Sequence, residues 1–248
     1  MTGIHQDTIC RLGVRVGNAG ARVMDEQMRG LTCKTIQMDE IWGFIGKKQK
    51  NLRKGDEARG LGDVWTFVSI DAETRMVPNY FVGKRDSYSA NTFVSDLAER
   101  IDSERVQIST DALAAYVDAI ERGFGSDADY GQIVKTFGNA DIEGQRRYSP
   151  AEIVRIRKGV VSGRPEWKHI STSYIERQNL TMRMHMRRLT RLTNAFSKKL
   201  ENFKAAVGLH FAYYNFVRFH KTLRMTPAMA GGVTNHAWTI RDLVEAAQ

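Results

Sequence analysis

TIQMDEIWGFIG, residues 35–46, is rich in β-branched and aromatic residues and reads as a strand with an acid, Asp39, in its middle. Strand alternation turns Asp39 to the side opposite Met38. Two further stretches of the same character follow, DVWTFVSIDAE (63–73) and MVPNYFVGKR (76–85), so three consecutive strands form an antiparallel meander. Between the first two lies KKQKNLRKGDEARGLG (47–62), a charged connection. It reads as an ordinary exposed turn or as a solvated loop facing DNA, the former being the more common case.

Downstream, Phe93, Val94, Leu97 and Ile101 fall at helical spacing within 89–101, and VQIST (106–110) is a short strand that ends at Asp111. Residues 112–123 read as a second helix and YGQIVKTF (130–137) as a fifth strand. The order of three strands, helix, strand, helix, strand is that of a mixed α/β domain. Residues 138–170 lose periodicity and read as a basic connector. From Ser171 a helix is expected to run past Leu192, with Met182, Met186 and Leu189 packed on one face.

Upstream, Ile4, Thr8, Ile9 and Leu12 lie on one side of a short helix, with Gly13 as its stop. This segment reads as half of a helix-turn-helix or as a helical cap. The expected organisation is a helical N-terminal segment (1–34), an α/β domain (35–200) and a helical C-terminal extension (201–248).

Lys and Arg total 37 against 28 Asp and Glu, a net charge of +9 that favours polyanionic partners. Between Arg177 and Lys204 the positive residues are opposed only by Glu201, so the charge is concentrated there. Asn179, Arg183, Arg187, Arg188, Arg191, Lys198 and Lys199 are the candidate DNA-binding residues, positioning a backbone through its phosphates. Phe211, Tyr213, Tyr214, Phe216 and Phe219 read as core packing, with base stacking as the alternative. Cys10 and Cys33 read as plain thiols, the histidines show no zinc spacing, and neither a secretory leader nor a membrane span is evident, so a cytoplasmic protein is expected.

Three acids stand out. Each has an ordinary reading: Asp39 as an edge acid, Asp111 as a helix cap, and Glu176 as an acid placed near a helix start by the macrodipole. Together, two acids on neighbouring strands and a third on a later helix flanked by positive charge point to divalent-metal binding. Such carboxylates hold Mg²⁺ or Mn²⁺, and a pair of these ions supports phosphoryl transfer without a side-chain nucleophile.

GIHQDTICRLGVRVG, MDEIWGFIGKKQKN, VQISTDALAAY and SYIERQNLTMRMHMRRLTRLTNAFSKKLENF resemble the DDE transposases of bacterial insertion sequences, in the group typified by the smallest enteric insertion element. The tail YNFVRFHKTLRMTPAMA is similar to the helical C-terminus of many such enzymes. The resemblance implies a ribonuclease H-like fold, a mixed five-stranded sheet with catalytic, metal-binding acids at Asp39, Asp111 and Glu176. It also implies two Mg²⁺ ions, DNA ends and target DNA as partners, and at least a dimer on DNA. In that chemistry water nicks an element end and the freed 3′-hydroxyl attacks target DNA. Members of the group usually carry a zinc ribbon and a complete helix-turn-helix, of which this sequence shows only part of the latter. The alternative expectation is a DNA-binding derivative, acting as repressor or scaffold, that has lost catalysis or end recognition.

Overall fold

The computed structural model describes residues 3–138, 153–190 and 193–246. Its centre is one mixed sheet of six strands: β1 (Thr35–Ile45), β2 (Gly62–Asp71), β3 (Tyr80–Gly83), β4 (Val106–Asp111), β5 (Ala128–Phe137) and β6 (Ile153–Ser162). The spatial order is β3-β2-β1-β4-β5-β6. The meander β1-β2-β3 is antiparallel, β4 runs parallel to β1, and β5 runs parallel to β4. Parallel neighbours need a crossover connection, and helices α2 (Ser87–Arg100) and α3 (Ala115–Phe124) supply them. Phe67 of β2 packs against Phe93 of α2 and Tyr116 of α3, with ring centroids 5.8 and 6.2 Å apart, which fixes the face these helices cover.

The opposite face is covered by α4 (Ser173–His185) and α5 (Leu200–Ala212). A side chain added at Gly43 of β1 would meet Leu189 and Phe203, and Tyr80 of β3 stacks on Phe211 at 4.9 Å. Beyond α5 the chain continues as a π-helical turn (Tyr213–Val217) and two short helices, α6 (Pro227–Ala230) and α7 (Ile240–Glu245). Phe211, Tyr214 and Phe216 are buried, as the core reading requires, while Tyr213 and Phe219 are exposed. Cys10 and Cys33 are free thiols. Among the described residues no helix is long and apolar enough to cross a membrane.

Three expectations need correction. The sheet has six strands rather than five, because Ile153–Ser162, expected to be an irregular connector, pairs antiparallel with β5. Its residues are exposed or only partly buried on both faces, so no core imposed the alternation that reveals a strand in sequence. The helix expected to run past Leu192 ends at His185, where Met186 turns to an extended conformation ahead of a single 3-10 turn, Arg187–Leu189. Met182, Met186 and Leu189 are all buried, so their spacing marks a core-facing stripe carried by two elements. Past the helix end the Thr190 hydroxyl turns back to donate to the Arg183 carbonyl at 3.1 Å.

Third, Gly13 stops nothing: α1 is one helix, Gln6–Gln27. Its glycines serve close packing instead. A Cβ at Gly17 would lie 2.1 Å from the Ala205 carbonyl oxygen, and one at Gly20 would lie 3.0 Å from the Ala212 Cβ. Small residues on both helices let α1 and α5 approach closely, and tertiary contact outweighs the modest helix penalty of glycine. The apolar side chains of the N-terminal segment, Ile4, Ile9 and Leu12, face solvent.

Candidate functional site

Gln37 and Asp39 alternate onto the same face of β1, and both bind α4. The Gln37 Oε1 accepts the backbone N–H groups of Tyr174 at 2.8 Å and Ile175 at 3.2 Å, two donors that a helix start leaves unpaired. Thr172, the N-cap residue, makes no side-chain cap, so Gln37 caps the helix from the strand. One helical turn later, the Asn179 amide donates to Asp39 Oδ2 at 2.9 Å. Two strand residues rise ~6.6 Å and four helix residues ~6 Å, so two side-chain bonds hold strand and helix in step.

Asp111 is the last residue of β4, immediately after Thr110, which pairs with Met38. Neighbouring parallel strands therefore deliver Asp39 and Asp111 side by side. The Asp111 Oδ1 accepts the Leu113 N–H at 3.0 Å, within the turn that leads into α3. Asp39 Oδ1 accepts the Glu40 N–H at 2.8 Å.

Carboxylate oxygens of Asp39, Glu40 and Asp111 lie within 4.8 Å of one another. Glu40 is the member that sequence reading missed. Alternation assigns it to the Met38 face, and its side chain is 1% exposed. The available signal was an acid on an inward-facing position of a central strand, where acids are rare unless compensated. Compensation comes from Arg85, whose Nε donates to Glu40 Oε1 at 3.2 Å and whose Nη2 lies 3.8 Å from Asp111 Oδ2. The Arg85 guanidinium also sits over the Trp65 ring at 5.1 Å.

The electrostatics follow from this crowding. Burial pushes the Asp39 carboxyl above the usual carboxylate range, and the negative charge of Asp111 adds to the effect, against the stabilising Glu40 N–H. Burial, then Asp111 and Asp39, push Glu40 up as well, with Arg85 opposing. Two neighbouring acids are thus held in a state where full ionisation is resisted.

Glu176 lines the same cavity, of about 520 Å³, from α4. It stands outside the tight cluster: its Oε1 is ion-paired with Lys135 of β5 and accepts the Thr172 hydroxyl. Of the three predicted acids, two meet and the third occupies the facing wall, held by a lysine that no sequence pattern indicated.

The candidate DNA-binding residues are more scattered. Asn179 is buried and its amide is committed to Asp39. Arg183 is half-buried on α4, while Arg187 is exposed beyond the helix end and does not continue the Glu176 face. Arg188 donates to Ser197 Oγ at 2.7 Å. Lys198 and Lys199 are exposed, Lys199 lying 3.7 Å from Glu201. Arg191 lies outside the described residues.

Compared with known proteins, the chain matches no family model and no curated sequence.

Proposed function

We propose that this protein is a metal-dependent enzyme that cuts and rejoins DNA, a transposase of the DDE kind. The observation that carries the reading is the meeting of Asp39 and Asp111 at adjacent positions of two parallel strands, with Glu176 across one cavity. The strand order and the placement of the acids support a ribonuclease H-like architecture extended by a sixth strand.

The donors fit a hard divalent cation. They are all carboxylate oxygens, and the burial that raises Asp39 and Glu40, together with their repulsion by Asp111, is what a bound cation offsets. Asp39 and Asp111 would hold Mg²⁺ or Mn²⁺, with Glu176 contributing from the opposite wall. When bound, a pair of such ions activates the attacking oxygen of a phosphodiester exchange and stabilises the leaving one.

The chain's own residues do the rest. Asn179 orients the Asp39 carboxylate, and Arg85 braces Glu40 while offering positive charge beside Asp111. Lys135 adds a cation on the cavity wall, and the exposed Arg187, Lys198 and Lys199 suit phosphates of a duplex running past it. Joining two element ends to a target needs at least two copies on DNA.

The test is a cleavage-and-joining assay on DNA carrying the flanks of the gene, with Mg²⁺ or Mn²⁺. Joined product is expected. Cutting without joining would mark a nuclease, and binding without cutting would favour the DNA-binding derivative.

A further inference from the structure

On the far side of α4 from the acids lies a second cleft, of about 780 Å³, bounded by the end of β2, the turn before β3 and the segment after the π-helical turn. Tyr174, Arg177, Gln178 and Thr181 line it at the i, i+3, i+4, i+7 spacing of one helix face, whereas Glu176 looks into the acid cavity. Arg75, Arg218 and Lys221 complete a set of four cations with Arg177. None of the four has a carboxylate within 4.0 Å among the described residues, whereas Arg85, Arg100, Arg105 and Lys135 elsewhere all do.

Three residues of the same cleft also carry buried side-chain nitrogens with no hydrogen-bond partner among the described residues: Arg75 Nη1, Gln178 Nε2 and His220 Nδ1. Buried polar atoms are nearly always satisfied, so their concentration here calls for an acceptor-rich ligand. Arg75 is moreover one of two non-glycine residues in the left-handed backbone region among the described residues, at φ 62. It is held there by the Tyr214 hydroxyl on its carbonyl at 2.9 Å and by its guanidinium 3.4 Å over the Tyr174 ring. Strain of this kind concentrates at binding sites.

We propose that this cleft binds an unpaired nucleic-acid strand, its phosphates meeting Arg177, Arg218 and Lys221 and a base resting against the exposed ring of Phe219. The volume lies within the ~300–1,000 Å³ of small-molecule sites and far exceeds what inorganic phosphate fills. Cations paired with an aromatic face are the usual means of holding single strands without reading sequence. The cleft lies on the other side of a helix about 10 Å across, a span of only a few nucleotides, so one strand can engage both sites. Binding here does not depend on the acids cutting DNA.

The experiment measures fluorescence anisotropy of a labelled single-stranded 12-mer with the full chain in EDTA, across a salt series. Arg177→Glu with Lys221→Glu is compared with Arg122→Glu, a reversal on the distant α3 surface. The double variant is expected to bind at least about tenfold more weakly, its log–log salt slope falling by at least about 1.4, at roughly 0.7 for each phosphate that is no longer neutralised. Unchanged affinity and slope, or an equal loss in Arg122→Glu, would overturn the proposal. Wild-type competition by the 12-mer, a mononucleotide and inorganic phosphate should weaken in that order. Equal competition by phosphate would reduce the cleft to a simple anion site and overturn the strand reading. A readout independent of the variants is the His220 imidazole, which burial and the nearby Arg75 and Arg218 hold below the ordinary histidine value. Its NMR titration should move upward when the 12-mer binds, and a fixed midpoint would count against the proposal.

Discussion

The Asn179 amide donates to Asp39 Oδ2 at 2.9 Å, and that bond joins the helix carrying Glu176 to the strand carrying Asp39. Asn179 is therefore a positioning residue rather than a partner for phosphate. Asn179→Ala should destabilise the fold by about 1–3 kcal/mol, the range for losing a buried hydrogen bond to a charged group. Urea unfolding measures this. It should also raise the Mn²⁺ concentration needed for half-maximal cleavage, with little change in DNA affinity; an unaltered metal dependence would assign Asn179 a purely structural role.

Asp39 and Glu40 give the metal-free protein a definite pH dependence. Both carboxyls are raised in the folded state, Asp39 and Glu40 alike mainly by burial and next by Asp111. The folded chain then holds more protons than the unfolded one above the ordinary carboxylate range, so their contribution is fully present below that range and is lost as pH rises through the raised values. Thermal midpoints in EDTA should fall over that interval. Glu40→Gln should flatten the fall and Mn²⁺ should offset it; a midpoint that climbs with pH through the same interval would contradict the electrostatic account.

Lys135 competes for Glu176. Both side chains are partly exposed, which limits the pair to ~0.2–1 kcal/mol. Lys135→Met should therefore lower the Mn²⁺ concentration for half-maximal cleavage by about two- to fivefold. A rise in that concentration would mean that Lys135 organises Glu176 rather than occupies it.

The glycines of α1 should separate into two classes. Gly13 meets nothing within 4 Å, so Gly13→Ala should stabilise by ~0.5–1 kcal/mol through helix propensity. Gly17→Ala drives a methyl group into the Ala205 carbonyl and should cost about 1–3 kcal/mol. Equal effects at the two positions, read by denaturant unfolding, would show that α1 does not pack on α5 as described.

These contrasts also show what the sequence made legible. β1, β2, β4 and β5 were readable because their buried residues impose β-branched and aromatic runs, and with them came the adjacency of Asp39 and Asp111. β6 was hidden because it has no buried face. The end of α4 was hidden because Met182, Met186 and Leu189 keep helical spacing across a break. Glu40 was overlooked beside Asp39, since alternation sends neighbours to opposite faces and only tertiary structure brings their carboxylates back together around Asp111. Arg85 and Lys135 are remote in sequence from the acids they touch, and no local pattern marks such partners.

The most direct test of the central claim is DNA cleavage in Mn²⁺ by the wild-type chain and by Asp39→Asn, Asp111→Asn and Glu176→Gln, each first shown to fold. The account predicts nicked and joined strands from the wild type and neither product from any of the three variants. Undiminished cleavage by Asp39→Asn or Asp111→Asn would contradict it.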